Sequence, residues 1–303
     1  MAEVVITQNR DHIGQAIDEA LRHIPLERLV RGKLTAVKPN ETWATKDDTT
    51  AVTQGDTLRA VLRAVKAAGP RELVVTGGAG AAETEEVFRH SGMMEALEAE
   101  GVELHDHNRP PFTEVTLEYA PDRDVRGPQK QVMVNERVLT YETVIAVNQL
   151  KLHRTATVTM ALKNIAMSFP AADYYGHPRS KEKHRHAFFD DMHSFIAAMV
   201  KRFPIHLAIT VGHPAMIATG PTGGIPVETG LVIASTDPVA ADCVGARLLG
   251  FSAQAVRHLW EAGKLGLGET DLEEIDYPAM SFEDAAKAFT QAAYGKAITL
   301  EGA

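Results

Sequence analysis

Residues 71–88, RELVVTGGAGAAETEEVF, pass from an apolar run through a cluster of glycines into a stretch with helical spacing. A strand that ends in glycines just ahead of a helix is a building unit of open α/β sheets. The sequence on either side repeats the alternation. Upstream, EVVITQ (3–8) and LTAVKPN (34–40) read as strands, while IGQAIDEALRHI (13–24) and GDTLRAVLRAVKAAG (55–69) carry apolar residues at helical period, the latter closed by Gly69. Downstream, AAETEEVFRHSGMMEALEAEG (81–101) is mostly helical and VELHDHN (102–108) is a strand. Strand–helix–strand order implies parallel pairing with right-handed crossovers.

The stretch 109–142 departs from this rhythm. TEVTLEY (113–119) and KQVMVNERVLT (130–140), with the polar loop 120–129 between them, predict short antiparallel strands. After it, TVIAVNQLK (143–151), IHLAITVG (205–212) and TGLVIAS (229–235) are continuous apolar runs, as expected of a sheet covered on both faces. DPVAADCVGARLLG (237–250) and SAQAVRHLWEAGKLG (252–266) are helices. The expected class is therefore α/β: a mostly parallel, Rossmann-like sheet flanked by helices, with a small antiparallel hairpin insertion. Residues 1–303 are read as a single α/β domain, with a division into lobes 1–140 and 141–303 left open.

The totals narrow the setting. At 303 residues, 45% of them hydrophobic, the chain can bury a large core without covalent staples. Its single cysteine, Cys243, can neither close an intrachain disulfide nor hold an iron–sulfur cluster, and it lies in an apolar helical run that suits a buried thiol. A formal charge of −9 argues against nucleic acid as a partner, although HPRSKEKHRH (177–186) is locally basic. No window is apolar enough to span a bilayer, and the start lacks the pattern of a secretory leader, so a soluble cytoplasmic protein without a membrane partner is expected. The sequence is compatible with a homodimer and does not fix the oligomeric state.

Candidate site residues collect where strands end, since ligands of open α/β sheets sit beyond the carboxyl ends of the strands. Lys38 and Asn40 follow the second long strand directly, and a strand-end lysine can contact an anion. Gly78 and Gly80 leave backbone N–H groups open to an anion ahead of a helix. Asp106, at the end of the next strand, stands where a ribose-binding acid would be expected. The spacing lacks the third glycine of a dinucleotide fingerprint, so a plain tight turn with Thr84 capping the helix competes with it.

In KLHRTATVTMALKN (151–164), Lys151, His153, Lys163 and Asn164 interrupt an otherwise core-like run, and Asn148 lies just ahead of it. Burying a lysine among apolar residues lowers its pKa and frees an amine for base or Schiff-base chemistry. The competing reading has Lys163 snorkelling from an amphipathic helix; if 155–163 is helical, His153 and Lys163 need not meet. His186, Asp190 and His193 are spaced for one helix face and, with His177, form a candidate metal set. That face lies away from the apolar stripe of Phe188, Met192, Phe195, Ile196 and Met199, which favours solvent over metal. His184 and His186 are also candidate proton or anion contacts. Thr222, Gly223 and Gly224 offer a second backbone cradle. Asp237, ahead of Pro238, reads as a helix cap.

Together, VKPN, VTGGAGAAETEEVFRHSG, VNQLKLHRTATVTMALKN, GPTGG, STDPVAADCVGARLLG and HLWEAGKLGLG resemble the prokaryotic family catalogued as domain of unknown function 362, over about residues 34–276. Many members of that family append a ferredoxin-type module, and this chain lacks its cysteines. It also has TTAVTQGD and TVGHPAM where relatives carry a Thr-His-Pro-like element and an aspartate–glycine pair. A histidine followed ten residues later by a lysine, here His153 and Lys163, is more distantly similar to the lactate racemase family. In that family the lysine anchors a pyridinium-derived cofactor and histidines shuttle protons to a 2-hydroxy acid. This chain has TVTMAL in place of the glycine run before that lysine, so what carries over is a small-carboxylate site.

These readings lead to an enzyme of isomerase or lyase type acting on a small anionic carboxylate metabolite. Lys163 and His153 would transfer the proton, assisted by His184 or His186. Lys38, Asn40, Asn148, Lys151, Asn164 and the glycine cradles would hold the anion. The alternatives are a nucleotide- or redox-linked accessory protein and a metal-dependent hydrolase or lyase built on residues 177–193. The cofactor is left unknown.

Overall fold

A computed structural model of the chain describes residues 1–119, 130–174 and 191–300. The described strands are β1 (Ala2–Glu3), β2 (Val5–Gln8), β3 (Leu34–Pro39), β4 (Glu72–Gly77), β5 (Glu103–Asp106), β6 (Phe112–Thr116), β7 (Gln131–Asn135), β8 (Thr143–His153), β9 (Thr157–Thr159), β10 (Leu207–Ile217), β11 (Ile225–Val227), β12 (Leu231–Ser235) and β13 (Ile275–Asp276). The helices are α1 (Ile13–Arg22), α2 (Leu26–Val30), α3 (Gly55–Ala67), α4 (Thr84–His90), α5 (Met93–Glu100), α6 (Ala161–Ser168), α7 (Met192–Arg202), α8 (Pro238–Leu248), α9 (Arg257–Lys264) and α10 (Phe282–Tyr294).

The main sheet has the order β2-β12-β10-β8-β3-β4-β5, with β9 and β11 folded back on β8 and β10. Neighbours from β10 to β5 pair in parallel, whereas β12 pairs antiparallel with both β10 and β2. Strands from both sides of residue 140 therefore share one sheet. From β3 the chain winds outward through β4 and β5, then returns to the other side of β3 as β8 and moves on to β10. The winding reverses between β3 and β8, so the carboxyl ends of these strands flank the crevice where open α/β sheets hold ligands.

Alternation along β8 covers both faces. Val144, Ala146 and Leu150 enter one core with α6 to α10, and Ile145 and Val147 enter another with α1 and α3 to α5. Burying each such branched side chain contributes about 1.5–3 kcal/mol, which explains why the strand is apolar throughout its first half.

The expected hairpin is present as β6 and β7, an antiparallel pair separate from the main sheet; the loop 120–129 lies outside the described residues. The expected helix 81–101 is two helices, α4 and α5, divided at Gly92, whose φ of +72° is open to glycine at little cost. Residues 155–163 differ from the helical reading. His153 Nδ1 accepts the N–H groups of Thr155 and Ala156, both at 3.1 Å, and closes a tight turn. The chain then doubles back as β9, pairing Thr157 with His153 and Thr159 with Lys151, and helix begins only at Ala161. This reversal returns Lys163 to the strand end it would otherwise leave.

Candidate functional site

The site is assembled on β3, β8 and α6. Val37 faces the core beside α3, so Lys38, one residue on, points to the other side of the sheet, toward α6. There its ammonium, without solvent exposure, donates to Asn164 Oδ1 (3.0 Å), to the Pro39 carbonyl (2.6 Å) and to the Glu41 carboxylate. Glu41 is held from its other oxygen by the Gly78 N–H (2.9 Å) and the Ser168 hydroxyl (3.0 Å). The glycine turn thus offers its backbone donor to an anion, as its sequence suggests, and the anion is the protein's own carboxylate. Lys38 is a partner of Glu41 and does not line the cavity. Asn148 also stands behind the wall, accepting from Asn164 Nδ2 at 2.8 Å.

Gln149 and Lys151, one strand period apart, both reach the 50–51 segment. Gln149 donates to the Thr50 carbonyl and Lys151 to that of Ala51. Lys151 is fully buried, and its amine is lowered to about 7, first by loss of water and then by the charge of Lys163.

The cavity beyond the strand ends is lined by Asn40, Glu41, Thr42, Gly78, Gly80, His153, Thr159, Lys163, Asn164, Met167, Ser168 and Pro221. Its enclosed space is about 30 Å³, room for bound water or for part of a small ligand. Lys163 is 5% exposed, and burial lowers its amine to about 7. Among the described residues the amine has no hydrogen-bond or ion-pair partner. Two further wall atoms, Thr159 Oγ1 and Asn40 Oδ1, are buried with no hydrogen-bond partner among the described residues. Buried polar atoms are seldom left so, and at a cavity wall they point to a ligand. His153 has Nδ1 occupied as an acceptor of two backbone N–H groups, so the neutral ring carries its hydrogen on Nε2 and is a donor there.

Helix α6 is buried along all eight residues, and its start is tied down by Asp242 of α8. The two carboxylate oxygens accept the N–H groups of Ala161 and Leu162, each at 2.9 Å. Burial nevertheless pushes this carboxyl up to about 7. On the far side, His258 of α9 is buried and meets His193 of α7 Nδ1 to Nδ1 at 3.1 Å, so the pair shares one hydrogen. Burial, His193 and the charge of Lys163 all hold His258 well below the usual imidazole range.

The structure thus brings Lys163, His153, Asn40, Asn164, Gly78 and Gly80 together and sets Lys38, Asn148 and Lys151 behind them. Thr222, Gly223 and Gly224 lie just past Pro221 in the β10–β11 connection and do not line the cavity. Asp106 is committed to the Thr84 hydroxyl, the Asn108 N–H and Arg109, which leaves it a loop-closing role in place of ribose binding. Thr84 opens α4 without capping it and instead accepts the Ala79 N–H. His177, His184, His186 and Asp190 lie outside the described residues. Of that group His193 is described, in the first turn of α7 behind its Asp191 cap. Among the described residues no three His, Cys, Asp or Glu side chains are placed to hold a metal ion. Asp237 caps α8 through the Val239 and Ala240 N–H groups, as its sequence position suggests, and Cys243 is buried with its thiol pushed up by loss of water.

Sequence reading missed Glu41, Ser168, Thr159 and His258. Glu41 stands one residue beyond VKPN, past the end of β3, where no periodicity gives its direction. The other three carry no local signal, because only the fold places them.

No described helix is long and apolar enough to cross a membrane. The chain belongs to the family described as Domain of unknown function (DUF362), whose profile matches residues 35–247. No curated protein matches it. A crystal structure of a Thermotoga maritima protein is similar at a TM-score of 0.48 and 13% identity, over 80% of this chain and 59% of that one. This chain therefore spans less than two thirds of that protein's length.

Proposed function

We propose that the protein is an enzyme that transfers a proton on a small carboxylate metabolite, as an isomerase or lyase, with Lys163 as the base. The observation that carries this reading is the buried Lys163 amine, without a partner among the described residues, on the wall of a cavity at the sheet's reversal point. A base with a pKa near 7 is half ready at neutral pH and still basic enough to remove a proton. The neutral amine takes the proton from the carbon beside the carboxylate. The electron pair left behind moves onto the carboxylate oxygens, where the His153 Nε2–H and the Thr159 hydroxyl can donate. Return of a proton to the opposite face or to a neighbouring carbon isomerises the substrate; loss of a group from the next carbon eliminates it. The spacing of His153 and Lys163, similar to that of the lactate racemase family, agrees with a small-carboxylate site.

The test is deuterium incorporation next to the carboxyl group when the protein is incubated in heavy water with a panel of small hydroxy and oxo acids. Exchange in wild type and its loss in Lys163→Met, with circular dichroism unchanged, is the expected result. Exchange that persists in the variant overturns the role.

A further inference from the structure

Three amines and one carboxylate, Lys38, Lys151, Lys163 and Glu41, are packed at the crevice, each no more than 5% exposed. Glu41 is spent on Lys38, Gly78 and Ser168. Lys151 has only the carbonyl of Ala51, and Lys163 has no partner among the described residues. When all three amines are protonated, two positive charges therefore remain unmatched. Water cannot screen charges so deeply placed, and each costs several kcal/mol to hold there alone. The same wall presents the Thr159 hydroxyl, which has no hydrogen-bond partner among the described residues and can donate to an arriving counter-charge.

We propose that the ligand of this cavity is a compact dianion, a small dicarboxylate or a phosphate-bearing acid, whose two charges match those of Lys151 and Lys163. This rests on the reading of the cavity as the reaction site and adds the charge of its substrate. The enclosed space of about 30 Å³ favours a ligand of few heavy atoms. Lys163 meets the ligand directly, whereas Lys151 acts from behind the wall through its field. The depressed amines agree with a missing counter-charge: a dianion that restores their charge draws protons from solution as it binds, above about pH 7. Lys163 acts as the base only in those complexes where its amine has given that proton up again.

Calorimetry at about pH 8, in two buffers of different ionisation enthalpy, tests this with malonate, inorganic phosphate and acetate as probes. At least one dianion is expected to bind about tenfold or more tightly than acetate and to take up protons. Malonate and phosphate distinguish the two sources of charge. Lys163→Met and Lys151→Met, checked for fold by circular dichroism, should each weaken binding about tenfold and reduce the uptake. Acetate binding as well as both dianions, dianion binding without proton uptake, or no dianion binding at about 10 mM overturns the assignment. Heavy-water exchange on monocarboxylates without dianion preference removes only the ligand assignment; dianion binding without exchange on any acid removes only the reaction.

Discussion

Lys38 and Glu41 form an ion pair across two residues at the end of β3, with side chains 0% and 2% exposed. Such a pair contributes little net stability over an apolar substitute, but losing one partner strands the other. Glu41→Gln should therefore destabilise the protein by about 3–5 kcal/mol, read from urea unfolding midpoints. Lys38→Met combined with Glu41→Gln should recover much of that loss. A single variant as stable as wild type would show that the pair is not closed.

Lys163 makes stability depend on pH. Its folded-state pKa of about 7 lies below the ordinary lysine value, so the unfolded chain holds more protons between about 7 and 10.5. Its cost to the fold is full below about 7 and fades as pH rises to about 10.5. Lys163→Met should raise the melting temperature at pH 6, and the gain should vanish near pH 10. A constant difference across that range would contradict the burial of a neutral amine.

His213 works in the opposite sense. Its ring joins Asp56 at the start of α3 (3.0 Å) to Glu228 between β11 and β12 (2.7 Å), and these bonds raise its pKa to about 10. The resulting stabilisation is complete below the unfolded value near 6.5 and is lost as pH rises to about 10. His213→Gln should lower the melting temperature at pH 6 more than at pH 10. NMR titration of the imidazole checks the shift directly.

Among the described residues, Asp242 supplies the acceptors for both the Ala161 and the Leu162 N–H groups. Asp242→Ala should cost about 1–3 kcal/mol for each stranded buried donor, and should raise amide exchange along α6. Unchanged exchange at Leu162 would place the anchor elsewhere.

Gly78 leaves no room for a side chain: a Cβ there would lie 2.1 Å from His107 Nε2. The His107 ring cannot swing aside readily, because Thr76 and Ser168 hold both nitrogens. Gly78→Ala should destabilise by about 1–3 kcal/mol and loosen Glu41. A melting temperature equal to wild type would mean that the histidine yields.

What the sequence made legible was periodic or abrupt. The strands of the sheet announced themselves as apolar runs, since both faces are covered, and Lys163 and His153 stood out against such a run. The β8–β9 reversal was hidden because Thr155–Thr159 has composition that suits helix or strand; a ring nitrogen bonded to two backbone N–H groups decides it. The direction of Asp242 carries no signal in the sequence, since its partners lie about eighty residues earlier. The His193–His258 contact likewise depends on α7 and α9 meeting, which no local pattern encodes.

The first strand that joins the main sheet, β2, seals the flank of β12 through Val5–Gln8. Trimming the leading nine residues would strip that cover and leave a row of unsatisfied peptide groups on β12, a template onto which another molecule's strand can zip. Shortened forms should accordingly clump during expression even though the crevice beside β8, several strands away, keeps every one of its side chains.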